Sequence, residues 1–192
     1  QRYSIMAAKE KPEALQKLLN FEAFDAVLIF VRTKVQTESL AELVSKNGHR
    51  VAAIHGDLAQ SQREQIIKRL SKGQLDIVVA TDVAARGLDV ERISHVINFD
   101  IPYDNESYVH RIGRTGRGSA TGTAVSLFTD KETFRLPAIE SRLSMMITPI
   151  EAPAYQAGQP VLAPADFVTL ELSLGRKDKL RPGDLLGAIT GS

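Results

Sequence analysis

Short apolar runs of strand length alternate with helical patterns along most of the chain, and this alternation restricts the possible folds more than any other feature. The runs are rich in Val, Ile, Leu and Phe without polar alternation, which is typical of strands buried on both faces of a parallel sheet. They occupy residues 26–31, 51–54, 75–80, 95–99 and 124–128. Strand–helix alternation with short connections predicts an open parallel sheet with helices on both faces, whose ligands gather at the carboxyl ends of the strands.

Helical patterns fill the intervals between these runs. Leu15, Leu18 and Leu19 share one helical face, and the same spacing recurs at residues 40–44 and 66–70. Thr33 followed by Gln36 predicts a capped helix start, and Asp130 is expected to be the N-cap of the last long helix.

The character of the chain changes after residue 150. Residues 152–165 contain three prolines and no charged residue, which indicates a linker. Beyond it, residues 168–172 are predicted as a strand and residues 181–189 as a short helix, too little to bury a core. We therefore expect a main domain over residues 1–150, a linker over 151–166 and an incomplete α/β tail over 167–192.

Composition excludes several classes of protein. The 192 residues include no cysteine, so a disulfide framework and a thiolate metal site are impossible. No apolar run approaches the roughly 20 residues that span a bilayer, so a cytoplasmic protein without a membrane partner is expected. The net charge of +1 neither supports nor excludes nucleic-acid binding.

The most informative segment is YVHRIGRTGRG, residues 108–118, in which arginines at 111, 114 and 117 are interspersed with glycines at 113, 116 and 118. Each glycine costs about 1 kcal/mol in a helix interior, so the helix should end near Ile112. The glycine-bent continuation would hold Arg114 and Arg117 beside open N–H donors, an arrangement that suits phosphate. The alternative is a basic helix face in solvent.

Three further segments place polar residues just after a strand. ATDVAARGLD (80–89) follows one predicted strand and offers Asp89 to ribose hydroxyls, although Thr81 or Asp82 could simply cap a helix. LIFVRTK (28–34) brings Arg32 and Thr33 to a helix start, and HGDLAQSQRE (55–64) places Gly56, Gln60 and Arg63 after another strand. The last two segments are weak signals on their own.

Together these four segments resemble motifs IV, IVa, V and VI of the DEAD-box ATP-dependent RNA helicases, in the family's order and spacing. VINFDIP (96–102) matches the family's segment between the last two motifs. Within the family, these segments are most similar to the bacterial DeaD/CsdA type, which implies either a cold-shock or a ribosome-biogenesis role and leaves open which of the two applies. The resemblance implies a RecA-like three-layer α/β domain, the second motor domain of such a helicase.

The resemblance also implies roles for single residues. Arg114 and Arg117 would be catalytic arginine fingers, and would bind ATP together with Gly87 and Asp89. His110 and Arg111 would couple the two motor domains. The expected contacts to the RNA backbone are Arg32, Thr33, Gly56, Gln60, Arg63, Thr81, Asp82 and Arg86.

The chain contains neither a G-x-x-x-x-G-K-[ST] loop nor an Asp-Glu-Ala-Asp sequence. The resemblance therefore implies that ATP and its Mg²⁺ are bound mainly by an N-terminal RecA-like domain, that the partners are that domain and RNA, and that the chain alone is inactive. Residues 167–191 resemble the start of the RRM-like RNA-binding domain of DbpA-type helicases. The oligomeric state stays open. The alternatives are a non-catalytic RNA-binding module and a DNA-directed motor.

Overall fold

The computed structural model describes residues 1–116 and 121–150, and these residues form one parallel sheet between two layers of helices. Its strands lie in the order β3-β4-β2-β5-β6-β1-β7, and every neighbouring pair is parallel. The predicted parallel sheet is therefore confirmed. The strands span Arg2–Ile5 (β1), Val27–Phe30 (β2), Val51–Ile54 (β3), Ile77–Ala80 (β4), His95–Asn98 (β5), Thr123–Phe128 (β6) and Thr148–Pro149 (β7).

The five apolar runs correspond to β2 to β6, whereas β1 and β7 lie in segments that these runs do not mark. The helices span Lys11–Phe21 (α1), Lys34–Lys46 (α2), Gln60–Ser71 (α3), Asp82–Ala85 (α4), Asn105–Ile112 (α5) and Leu136–Leu143 (α6), with 3-10 helices at Ala8–Glu10 and Asp130–Arg135.

The predicted cap of α2 is present, because the Thr33 hydroxyl accepts a hydrogen bond of 3.2 Å from the Gln36 N–H. The expected N-cap of the last long helix at Asp130 is wrong, because Arg135 is the N-cap of α6 and Thr129 is the N-cap of the 3-10 helix that precedes it. The Thr129 N–H and hydroxyl both donate to Oε2 of Glu132, at 2.9 and 2.8 Å. These two bonds place the start of the turn one residue earlier.

Both faces of the sheet are buried, which explains the unbroken apolar runs. In β2, Val27 and Ile29 pack in a cluster with α1 and α2, while Leu28 and Phe30 pack on the opposite face in a cluster that includes Leu70 of α3. Each fully buried Leu or Val side chain stabilises the fold by about 1.5–3 kcal/mol relative to exposure. A smaller cluster joins α5, α6 and the end of β6.

The strand register brings several carboxyl ends to one level. Phe30 lies opposite both Ala80 and Asn98, and Ile54 lies opposite Ala80. The segments that follow β2, β3, β4 and β5 therefore meet along one edge of the sheet, where the sequence predicts the site.

No helix among the described residues has the length and apolar character needed to cross a membrane. The predicted linker and tail, from residue 151 onward, and Arg117 lie outside the described residues.

Candidate functional site

The residues predicted to contact RNA are distributed along the carboxyl edge of the sheet. Arg32 and Thr33 follow β2, Gly56 follows β3, and Thr81 and Asp82 follow β4. Because these strands are parallel and end at the same level, the structure brings the three segments together. Their order along the edge is that of the strands, β3, β4 and β2.

Arg32 is anchored by side-chain contacts rather than extended into solvent. Its Nη2 donates to the carbonyl oxygen of Ile101 at 3.1 Å and to Oε1 of Glu132 at 2.6 Å. Its guanidinium carbon lies 5.0 Å from the centroid of the Tyr103 ring. One-third of the side chain stays exposed, so Arg32 presents a fixed positive charge at the edge of the sheet.

Thr33 caps α2, which is the purely structural role that the sequence left open for it. Its hydroxyl oxygen is an acceptor in this bond, so its own proton remains available to a ligand oxygen. The helix start also directs backbone N–H groups toward the same edge, which favours an anion. Thr33 can therefore serve both as a cap and as a phosphate contact.

The segment after β3 combines an open backbone with a tethered arginine. A side chain added at Gly56 would meet no atom within 4 Å, so the backbone there is accessible. Gln60 begins α3 and bonds to Glu64 and Arg63 at 2.9 and 3.3 Å. Nη2 of Arg63 donates to the carbonyl of Ala84 at 3.1 Å, while its buried Nε has no partner among the described residues.

Thr81 stands at the N-cap position of α4 without making a side-chain capping bond. Its hydroxyl is therefore not used by the helix, unlike that of Thr33. Arg86, at the other end of α4, is exposed. Both positions leave polar groups at the surface where the sequence predicts contacts to a sugar–phosphate chain.

Arg111 occupies the interior below this edge. It is 2% exposed, and its Nε and Nη2 donate to the two carboxylate oxygens of Asp82 at 2.5 and 2.7 Å. Its Nη1 donates to the Asp100 carbonyl and the Asn98 side chain at 2.5 and 3.3 Å. Its guanidinium also lies 4.9 Å from the Phe30 ring centroid. Arg111 thus ties α5 to the ends of β2, β4 and β5.

A buried polar network continues from this arginine to β6. The Asn98 amide donates to the Ser126 hydroxyl at 3.0 Å, and the Tyr108 hydroxyl lies 2.9 Å from the same oxygen. Burial raises the pKa of Tyr108, although the bond to Ser126 opposes this shift. Every member of the network is partnered, so it holds α5 in one position against the sheet.

Gly87, Asp89 and Arg114, the predicted ATP-binding residues that the structure describes, lie after α4 and after α5. Nη1 of Arg114 donates to the Leu88 carbonyl at 3.0 Å, so this arginine lies against the loop formed by Gly87, Leu88 and Asp89. Gly87 has a φ of +80°, and a Cβ added there would meet no atom within 4 Å, so the loop is both tightly turned and open. Arg114 therefore stands where its remaining donors can reach a ligand bound over that loop.

The helix that carries Arg111 ends at Ile112, as the glycines predict. Gly113 is its C-cap, and Gly116 has a φ of +66°. Arg111 on the helix bonds inward to Asp82, whereas Arg114 beyond its C-cap bonds to the Leu88 carbonyl of the loop. His110 is exposed on the outer side of α5, 4.0 Å from Glu106 one turn earlier.

A small pocket of about 50 Å³ separates the two groups. Its lining includes Asp82, Arg86, His110, Arg111 and Arg114, which belong to the RNA, coupling and ATP sets of the sequence analysis. The residues described contain no cluster of three or more His, Cys, Asp or Glu side chains that could hold a metal ion.

Sequence reasoning missed the partners that position the site. Asn98 lies inside an apolar run, and its polarity there was the one signal of a buried network. Glu132 accepts hydrogen bonds from Lys11, Arg32 and Thr129, and nothing in the sequence links these positions.

The parallel sheet, its two helical layers and the arginine-bearing helix define a RecA-like α/β domain. A family model described as the helicase conserved C-terminal domain matches residues 10–119, and the chain belongs to this family. The ATP-dependent RNA helicase DeaD of Escherichia coli K12 is 51% identical over 153 residues, or 80% of this chain and 24% of the relative. The DeaD protein of Mycobacterium tuberculosis H37Rv is 50% identical over 153 residues, or 80% of this chain and 27% of the relative. The chain therefore spans about a quarter of the length of these relatives.

Solved DEAD-box structures share the fold. Escherichia coli SrmB bound to the regulator of ribonuclease activity A superposes with a TM-score of 0.74 at 34% identity, covering 78% of this chain and 89% of that one. Saccharomyces cerevisiae Dbp5 bound to RNA and ADP BeF3 superposes with a TM-score of 0.73 at 32% identity, covering 79% of this chain and 41% of that one.

Proposed function

We propose that this domain is the second motor domain of an ATP-dependent DEAD-box RNA helicase, which supplies arginines for ATP hydrolysis and part of the RNA backbone-binding surface for local duplex unwinding. The observation that carries the proposal is the position of Arg111. This buried arginine joins the helix that leads to Arg114 with Asp82, at the edge where the RNA contacts are predicted.

The ATP-binding role rests on Arg114 and its loop. The Leu88 carbonyl holds one nitrogen of the guanidinium, and the rest of this planar group can donate to phosphate oxygens. Charge placed in advance at this position would stabilise the negative charge that develops during phosphoryl transfer. ATP and Mg²⁺ would be held mainly by an N-terminal RecA-like domain, and Asp89 would contact the ribose.

The RNA-binding role rests on the edge of the sheet. Arg32, Arg63 and Arg86 supply positive charge there, and Thr33 and Thr81 supply hydroxyl groups. Such contacts to phosphate and sugar position a strand without reading its sequence. Contacts to the 2′-hydroxyl would favour RNA over DNA.

The network around Arg111 supports coupling between the two sites. ATP and RNA binding would close the two motor domains, bring Arg114 and Arg117 to the γ-phosphate, and bend the bound strand. Because α5 is fixed to the sheet through Asp82, Asn98 and Asp100, the arginines and the RNA edge would move together as one rigid unit.

The test uses the intact two-domain helicase. Replacing Arg114 or Arg117 with Ala should lower kcat for RNA-stimulated ATP hydrolysis by about 10³-fold, the scale of finger arginines, while the Kd for RNA stays within about threefold of wild type. The matched control is Arg69→Ala, an exposed arginine in the last turn of α3 that belongs to neither set. If both finger variants turn over within a few-fold of wild type, the proposed catalytic role is wrong.

A further inference from the structure

A second and larger pocket of about 660 Å³ lies at the carboxyl edge of the sheet, beyond the end of β2. Arg32, Phe99 and Thr129 bring the ends of β2, β5 and β6 to its wall, and Lys11 contributes from the start of α1. Its volume falls in the range of about 300–1,000 Å³ that is usual for small-molecule sites. None of its lining residues belongs to the ATP-binding set.

Two aromatic rings on its rim are turned toward solvent. Tyr103 is 80% exposed and Phe134 is 78% exposed, although large aromatic side chains usually bury most of their surface. Two contacts are made by Tyr103. The Arg32 guanidinium carbon lies 5.0 Å from its ring centroid, and Nη2 of Arg135 donates to its backbone carbonyl. An exposed aromatic ring next to these cations can stack on a flat ligand.

The charges of the pocket favour an anionic ligand. Lys11, Arg32, Lys131 and Arg135 line it, against only Asp100 and Glu132. Both carboxylates already accept hydrogen bonds within the domain. Asp100 accepts from the Arg32 N–H at 3.0 Å, and Glu132 accepts from Arg32, Lys11 and Thr129. The net charge of the side chains that line the pocket is therefore positive.

A buried cation contributes to the wall of the pocket. Lys11 is 4% exposed, and its Nζ donates to the Phe99 carbonyl at 2.9 Å and to Glu132 at 3.4 Å. Burial lowers the pKa of Lys11, while the neighbouring Glu132 and Asp100 carboxylates oppose that shift. Protein–protein interfaces are depleted of charge at their cores, so the four cations in the lining suit a phosphate-bearing ligand better than a protein segment.

The pocket also continues the predicted RNA path. Arg32 belongs to both, and Thr33 immediately follows it at the start of α2. An RNA strand that follows the edge from β3 past β4 to β2 would meet the pocket next, because β5 and β6 are the following strands.

We propose that this pocket receives an unstacked base and the adjoining phosphate of the bound single strand, one step beyond the backbone contacts of the proposed function. The base stacks on Tyr103 and Phe134, and the phosphate lies near Arg32 and Lys131. The inference rests on the RNA-binding part of the proposed function. It adds a base-stacking site to the RNA-binding surface that the proposed function assigns to the domain.

The test measures binding of the 192-residue chain to single-stranded oligouridylates of increasing length by fluorescence anisotropy, over the range of roughly 4–16 nucleotides that single domains cover. Y103A/F134A should raise the Kd for the longer oligomers by about tenfold or more, the scale of lost base stacking, and leave the shortest oligomer unchanged. Y103F/F134Y keeps both rings and should bind like wild type. Met146→Ala, which removes another residue that is 78% exposed, should have no effect.

Arg63→Ala separates the two proposals, because it removes a backbone contact and should weaken oligomers of every length. If Arg63→Ala weakens binding and Y103A/F134A does not, the stacking site is refuted while the proposed RNA edge stands. The same result is expected if the pocket serves a protein segment instead. If the wild-type chain binds no oligomer of any length, the RNA edge and the stacking site both fail.

Discussion

The two carboxylate oxygens of Asp82 accept Nε and Nη2 of Arg111 at 2.5 and 2.7 Å, across 29 residues of sequence. The arginine is 2% exposed, whereas 38% of the aspartate side chain is exposed. The pair therefore joins a fully buried cation to a carboxylate at the surface. Two further acceptors, the Asn98 side chain and the Asp100 carbonyl, complete the coordination of the guanidinium.

Arg111→Ala should destabilise the domain strongly. It removes four hydrogen bonds and leaves Oδ1 of Asn98 and the Asp100 carbonyl without the donor that Arg111 supplied. Breaking a buried charge network costs about 3–5 kcal/mol, and we expect about 3 because Asp82 can regain water. Urea denaturation followed by circular dichroism measures this change. Arg69→Ala is the exposed control, and a loss below about 1 kcal/mol for Arg111→Ala would refute the structural role.

The three arginines of residues 108–118 show what the sequence could and could not predict. Glycine spacing correctly predicted that α5 ends at Ile112. It could not distinguish Arg111 from Arg114, because their different directions depend on the turn after Gly113 and on acceptors that are distant in sequence. The apolar runs predicted β2 to β6, of which β2 and β4 are buried on both faces and the edge strand β3 is only partly buried. In contrast, β1, with the sequence RYSI, has no such run.

Glu132 should make the stability of the domain depend on acidic pH. Burial alone would raise its pKa, but hydrogen bonds from Thr129, the charge of Lys11 and a hydrogen bond from Arg32 outweigh burial, so its pKa lies below the usual value. A carboxyl group with a depressed folded-state pKa stabilises the fold above its unfolded pKa, and that stabilisation is lost as pH falls through the folded pKa. Between about pH 5 and pH 3, wild type should therefore lose more unfolding free energy than Glu132→Gln.

The control for this prediction is Glu13→Gln. Glu13 also has a lowered pKa, through its hydrogen bond and ion pair with Lys17, but both groups are exposed. Water and salt screen such a pair, so this variant should follow the wild-type pH profile in about 0.15 M salt. Parallel profiles for wild type and Glu132→Gln would contradict the assigned role of Glu132.

Thr33 allows its capping role to be separated from its proposed contact with RNA. Thr33→Ala removes the bond to the Gln36 N–H and should lower the unfolding free energy by about 1 kcal/mol. Thr33→Asp keeps a capping acceptor and should preserve stability, but its negative charge should repel phosphate and raise the Kd for RNA. Denaturation and anisotropy on the same samples measure both effects. If Thr33→Asp binds RNA as tightly as wild type, Thr33 caps α2 but does not contact RNA.

Gly87 and Gly56 form a matched pair for testing backbone conformation. A Cβ at either position meets no atom within 4 Å, but only Gly87 has a positive φ, of +80°. Gly87→Ala should therefore cost about 1 kcal/mol from the left-handed backbone, whereas Gly56→Ala should be neutral or slightly stabilising. Equal changes in the urea midpoint for the two variants would show that the Gly87 loop relaxes to another conformation.

The strand Arg2–Ile5 lies between β6 and β7 and is hydrogen-bonded to both. Deleting the first six residues would therefore remove an internal strand of the sheet rather than a free terminal segment. It would uncover the backbone of residues 125–128 as a bare sheet edge and leave Thr148–Pro149 without a neighbouring strand. Such edges recruit strands from other molecules. A version of this domain that begins after Met6 should therefore self-associate, even though every motif in it would be intact.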